Sequence, residues 1–306
     1  MVANTAPVPD PPLGRMLTAM VTPFRPDGAL DVEGVRALAA YLVDEQHADG
    51  LVVAGTTGES PTLAHGELLD LFAAVVEAVG DRAQVVAGCG KNDTAATEAL
   101  VREATDLGVD GIMLVSPYYN KPSQRGLIAH FERVAGATDR PVLLYDIPGR
   151  TAVELAEPTL RTVAERCPNV VGVKDAVGNP VKTARVARDA PDHFQVYSGD
   201  DHSLLTVLAA GGVGVVSVAG HFVGGHLAEM IRRFPTDPAG ARAIHHDLLD
   251  LYRALFVDSN PVPLKGALAR AGLPGGPVRP PLADATDEVV DGVMACLDVL
   301  GVEVRR

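Results

Sequence analysis

The chain has 306 residues, 26 of them basic and 39 acidic, for a net charge of −13 at pH 7. A chain this acidic has no general attraction for a phosphate backbone, which argues against nucleic acid as a partner. A hydrophobic content of 47% with 21% charge is globular rather than disordered, and the length suits one large α/β barrel or two ordinary domains.

Residues 1–15 (MVANTAPVPDPPLGR) are rich in Pro and Ala and lack the apolar core of a secretory signal, so they read as a poorly ordered leader. After them, short β-branched runs recur, each followed by a polar or Gly-rich loop and an amphipathic stretch. Strands are predicted over 16–22, 50–54, 84–88, 111–115, 142–146, 170–174, 195–198 and 213–217. Helices are predicted over 32–47, 65–79, 94–107, 123–137, 154–165, 180–189, 201–210 and 222–233. The strands are apolar throughout, as expected where helices cover one face and a packed interior the other. Eight such units predict a (β/α)8 TIM barrel over 16–235, with a doubly wound sheet as the alternative. The segment from Ser203 to Ala228 carries no charge, but its two Gly-Gly pairs and two histidines split it into a helix end, a turn and a strand. It is therefore not read as a membrane span. Strand signals then stop. Stretches 237–256, 260–272 and 285–300 predict three helices, so 236–306 reads as a helical appendage packed on the barrel.

Cys89, Cys167 and Cys296 are too far apart for a disulfide framework or a zinc spacing, and read as free thiols in a reducing cytoplasm. In a barrel the reactive side chains sit where strands end. Lys174 ends the run Val170-Val171-Gly172-Val173. Burial disfavours its ammonium, and a free amine there attacks ketones and aldehydes. The alternative is a lysine that snorkels outward or pairs with Asp175. Tyr145 ends the preceding strand, either as a proton carrier or as a wall aromatic. Gly55-Thr56-Thr57-Gly58 offers hydroxyls and open amides to a small carboxylate, or simply a turn before the helix start at Ser60-Pro61. Arg150 offers a fork for a carboxylate or a surface ion pair. Asp200 and Asp201 read as caps of the helix beginning at His202, and His245-His246 as a solvated helix face. There is no Walker loop, HExxH, dinucleotide fingerprint or Gly-x-Ser-x-Gly elbow, so nothing calls for a nucleotide, metal or flavin.

Taken together, GTTGES (55–60), YYNKP (118–122), YDIPGRT (145–151), GVKDA (172–176), SGDD (198–201) and NPVPLK (260–265) resemble the dihydrodipicolinate synthase family. This is the lysine-pathway branch of the pyruvate-dependent class I aldolases. The resemblance covers 16–300 and implies a cytoplasmic enzyme, usually a homotetramer built as a dimer of dimers. Its substrates would be pyruvate and L-aspartate 4-semialdehyde, and it would need no cofactor beyond the covalent Schiff base. It implies Lys174 as the Schiff-base lysine, Tyr145 as the proton carrier, Thr56 as its link to Tyr119, and Tyr119 as a residue inserted into a neighbouring subunit. Thr57 would hold the pyruvate carboxylate, Val216 would contact pyruvate through backbone, and Arg150 would bind the aldehyde substrate's carboxylate. Asp146 stands where many relatives carry Asn. Ser60, His65, Asn92 and Tyr118 match a lysine-effector site. Leu68 and Ala96 replace a His and a Glu in it, which implies weak or absent lysine inhibition. The competing readings are a sister aldolase (a sialic acid or 2-keto-3-deoxy-sugar acid lyase) and a catalytically silent barrel.

Overall fold

The computed structural model describes residues 10–303; residues 1–9, where most of the expected leader falls, lie outside them. Eight strands, β1 (Met16–Ala19), β2 (Gly50–Val53), β3 (Gln84–Gly88), β4 (Gly111–Val115), β5 (Val142–Asp146), β6 (Val170–Asp175), β7 (Gln195–Ser198) and β8 (Gly214–Ser217), pair in parallel and in sequence order. β8 closes on β1, so the sheet is a closed barrel with helices outside it, and the doubly wound alternative is set aside.

Alternation along each strand sorts side chains between two cores. Leu17, Val52, Val86, Met113, Leu143, Tyr145, Tyr197 and Val216 fill the barrel interior. The other face packs against the helices in a larger continuous core. Leu13 is fully buried in the interior cluster, and the Tyr197 hydroxyl donates to the Gly14 carbonyl at 2.9 Å. Packed structure therefore begins before β1.

The predicted helices form with ends shifted by a few residues. The 201–210 stretch divides into a 3-10 turn, Asp201–Ser203, and a short helix, Leu204–Ala209. Two further turns have no periodic signal because they are too short to carry one: the 3-10 turn Ser60–Thr62 and the helix Pro148–Thr151. The three C-terminal helices are Pro238–Ala254, Val262–Arg270 and Asp287–Val299. They pack on one another, and Pro238–Ala254 lies against Gly220–Arg233 of the barrel's outer layer. No helix among the described residues is long and apolar enough to cross a membrane.

Candidate active site

Parallel register brings the end of β5 beside the end of β6: Tyr145 pairs with Lys174, and Lys174 with Tyr197 on β7. Both Tyr145 and Lys174 point into the barrel, and Lys174 Nζ sits 4.1 Å from the centre of the Tyr145 ring. Lys174 is 4% exposed and Tyr145 3%. The next residue, Asp175, faces the other way, accepting from Thr183 Oγ1 at 2.8 Å and from the Val177 amide at 2.9 Å. So Lys174 does not snorkel outward and does not pair with Asp175, and it has no ion-pair partner among the described residues.

A cavity of about 330 Å³ opens over the strand ends, with Thr56, Ser60, Tyr118, Ile147, Arg150 and Asn260 in its wall. A recess of about 30 Å³ shares Thr56, Ser60 and Gly90 with it and reaches Met113 and Tyr145. The recess therefore leads from the open cavity to the phenol that covers the lysine amine. Gly90 keeps this passage tight: a Cβ there would stand 2.5 Å from the Val115 amide nitrogen.

The GTTGES loop is held from the far end of the chain. Thr57 is 2% exposed, and its Oγ1 accepts from Asn260 Nδ2 at 2.9 Å. Glu59 adopts a left-handed φ of 53°. It is buried with Lys265, whose Nζ donates to Glu59 Oε1 at 2.7 Å and to the Thr22 and Pro277 carbonyls at 3.0 and 2.7 Å. Burial pushes the Lys265 ammonium below its ordinary range, and the bonded carboxylate of Glu59 opposes that. Glu59 Oε2 also accepts from the Arg279 amide at 2.8 Å.

Other predicted residues separate from this group. Tyr119 is 89% exposed and has a φ of 73°; Tyr118 is the tyrosine of that pair in the cavity wall. Val216 is buried among the barrel-interior side chains with Tyr145. Of the effector-like set, Ser60 and Tyr118 line both the main cavity and a recess of about 90 Å³ that also holds Leu68 and Lys91. His65 and Asn92 are exposed, and His65 Nε2 lies 3.1 Å from Glu103 Oε2.

Two sequence readings need correction. Asp200 does cap its helix, accepting from the His202 amide at 3.0 Å. Asp201 does not: it is buried and accepts from Ser217 Oγ, Val218 N and Ala219 N at 2.5, 3.0 and 2.9 Å, so it fixes the turn after β8 instead. His246 is on a solvated face, but His245 is buried against Tyr252. Cys89 and Cys167 are buried thiols and Cys296 is half-buried.

Sequence reasoning did not select Asn260, Glu59 or Lys265 as site residues. NPVPLK placed two of them in the resemblance, but their partners lie some 200 positions upstream. A lysine set among apolar residues of a helix, Val262–Arg270, was the available signal.

The model of the dihydrodipicolinate synthetase family matches residues 12–300. A 4-hydroxy-tetrahydrodipicolinate synthase of Moorella thermoacetica is 53% identical over 289 residues, covering 94% of this chain and 98% of its own. One from Symbiobacterium thermophilum is 47% identical over 293 residues, covering 95% and 99%. The lysine-bound crystal structure of the Cyanidioschyzon merolae enzyme superposes with a TM-score of 0.93 at 43% identity, covering 96% of this chain and all of the other. With that agreement spanning the barrel, the site and the C-terminal helices, the chain belongs to the dihydrodipicolinate synthetase family.

Proposed function

We propose that this chain is a lyase-class enzyme that condenses pyruvate with L-aspartate 4-semialdehyde. The product is 4-hydroxy-tetrahydrodipicolinate, for lysine and diaminopimelate biosynthesis. The observation that carries this reading is a sheltered amine, Lys174, held against the ring of Tyr145, which lines the recess at the foot of the cavity. The relatives named for the same reaction support it.

The Lys174 amine adds to C2 of pyruvate, and Tyr145 passes protons as water leaves and the iminium forms. The positive nitrogen then takes up the electron pair released when the methyl group loses a proton, giving an enamine. No separate cofactor is required for this, because the iminium is the electron sink. The enamine carbon attacks the aldehyde. The second substrate's own amine then attacks C2 and displaces Lys174, closing the ring and regenerating the free lysine. Thr56, beside Tyr145 in the recess, relays protons, and Thr57 orients the pyruvate carboxylate while Val216 contacts pyruvate through its backbone. Arg150, in the cavity wall, receives the carboxylate of the semialdehyde.

The barrel, 16–235, carries the chemistry. The helical region 236–306 braces it, and the connections between its helices contribute Asn260, Pro281 and Leu282 to the cavity wall. Tyr119 completes the site of a neighbouring subunit in a cytoplasmic homotetramer; its near-total exposure supports this reading. Lysine inhibits weakly or not at all, because Leu68 and Ala96 stand where regulated relatives carry a His and a Glu, leaving the effector's ammonium without that carboxylate. Among the described residues, the recess beside Ser60 and Tyr118 is lined by Leu68 and Lys91, with no acidic residue.

Borohydride trapping tests the reading. Pyruvate should become fixed to Lys174, as located by peptide mass, and added semialdehyde should be turned over. No adduct at Lys174 defeats the mechanism, and an adduct without turnover of the semialdehyde points to a sister aldolase.

A further inference from the structure

Behind the site, on the helix side of β5, lies a cluster of charges that the chemistry above does not use. Asp146 follows Tyr145 and points out of the barrel, its side chain 1% exposed. Both its oxygens lie 3.2 Å from the Leu155 amide, which donates to them. Lys182, from the helix Pro180–Asp189, is 6% exposed at its side chain. Its Nζ donates to Asp146 Oδ2 at 2.7 Å and to Glu154 Oε1 at 2.9 Å. Between Asp146 and Leu155 the chain makes an eight-residue excursion, 147–154, containing the one-turn helix Pro148–Thr151. That excursion supplies Ile147, Arg150 and Thr151 to the cavity wall. One ammonium thus ties together the two ends of the segment that presents Arg150. Gln124 holds only the backbone of the far end, donating to the Glu154 carbonyl at 2.8 Å and accepting from the Ala156 amide at 3.0 Å.

We infer that Lys182 is a positioning residue for the second substrate: by bridging Asp146 and Glu154 it fixes the loop that aims Arg150 into the cavity. The inference rests on the reading of Arg150 as the carboxylate anchor. Lys182 lies outside the cavity wall and touches neither Tyr145 nor Lys174, so its loss should spare imine formation. The single helical turn, closed by the Thr151 and Ala152 amides on the Ile147 and Pro148 carbonyls, holds its own shape, but its placement against the barrel depends on the segment's ends. Displacing an anchoring charge by about 1 Å can cost up to about a hundredfold in rate.

The test compares Lys182→Met, Glu154→Ala and Arg150→Ala in steady-state kinetics with both substrates and in borohydride trapping with pyruvate alone. Glu154 is half-exposed, so Glu154→Ala leaves the buried pair intact and decides the question if Lys182→Met fails to fold. The expected result is a semialdehyde KM raised about tenfold in Lys182→Met and about threefold in Glu154→Ala. The pyruvate concentration for half-maximal trapping should stay unchanged in both. A merely structural role would depress trapping and turnover together, and that outcome overturns the inference. So does an unchanged semialdehyde KM in the loop variants while Arg150→Ala raises it, which leaves the reading of Arg150 standing. If Arg150→Ala itself leaves that KM unchanged, the anchor reading falls and this inference falls with it.

Discussion

Tyr145, which lines the recess, offers Lys174 two separable things, a ring face 4.1 Å from the amine and a phenol hydroxyl. Tyr145→Phe removes only the second. The ring still fills the barrel interior, so folding should be unaffected, while loss of a positioned proton carrier lowers kcat by about 10²–10⁴-fold. Trapping after long incubation with pyruvate should still label Lys174, but the adduct should form more slowly. Stopped-flow imine formation and steady-state turnover measure both effects, and a Phe variant with the parent kcat would remove the phenol from the mechanism. The two residues were legible in the sequence for one reason: each is a polar side chain closing an apolar run, and strand alternation decides which face it takes. Asp175 and Asp146, one position further on, take the opposite face for the same reason. Asn260 and Lys182 were not legible, because what matters about them is a partner on another element, and periodicity carries no such information.

Among the elements, the strands could be read closely because β-branched runs bounded by Gly and polar loops are a strong signal. The turns that present the site could not, since Ser60–Thr62 and Pro148–Thr151 each complete about one turn and show no repeat. The GTTGES turn also carries a non-glycine residue, Glu59, at a φ of 53°, a conformation that its surroundings must hold. What holds it is the C-terminal region, through Lys265 of the helix Val262–Arg270 and the Arg279 amide, both bonded to the Glu59 carboxylate. With side-chain exposures of 1% and 2%, Glu59 and Lys265 form an ion pair almost wholly removed from water. Breaking such a pair from one side leaves an uncompensated buried charge, at a cost of about 3–5 kcal/mol. Glu59→Gln and Lys265→Met should each destabilise the fold by that order. The double variant should cost less than the two together, because it strands no charge. Denaturant titration of the four proteins measures the coupling. Additive losses would mean that the pair is not what fixes the turn.

At the scale of the whole molecule, closing the barrel buries groups that titrate near neutrality, and this sets its acid limit. His221 stands just after β8 and is fully buried. Its Nε2 accepts from the Val21 amide at 3.2 Å and its Nδ1 lies 2.9 Å from the Val218 carbonyl, so the ring is the neutral tautomer with the proton on Nδ1. It therefore joins the segments that follow β1 and β8, the strands at which the barrel closes. Burial pushes its pKa down to about 4, and burial does the same to His130. In the unfolded chain both protonate near 6.5, so between about 6.5 and 4 the unfolded state binds protons that the folded state refuses. Their stabilising contribution is complete above that window and is lost as pH falls through it, at about 1.4 kcal/mol per pH unit for each histidine. Asp146 acts in the opposite sense: burial raises its carboxyl to about 6, so acidification favours its folded form. The net slope is a sum over these groups, and a single variant is needed to isolate one of them. His221→Gln can keep one acceptor and one donor but cannot take up a proton. Its unfolding free energy, measured from pH 7 to 4.5, should therefore fall less steeply than that of the parent, by the slope of one proton. Parallel curves for the two proteins would mean that His221 takes up its proton in the folded barrel as readily as in the unfolded chain, and that closure between β1 and β8 does not depend on a neutral ring.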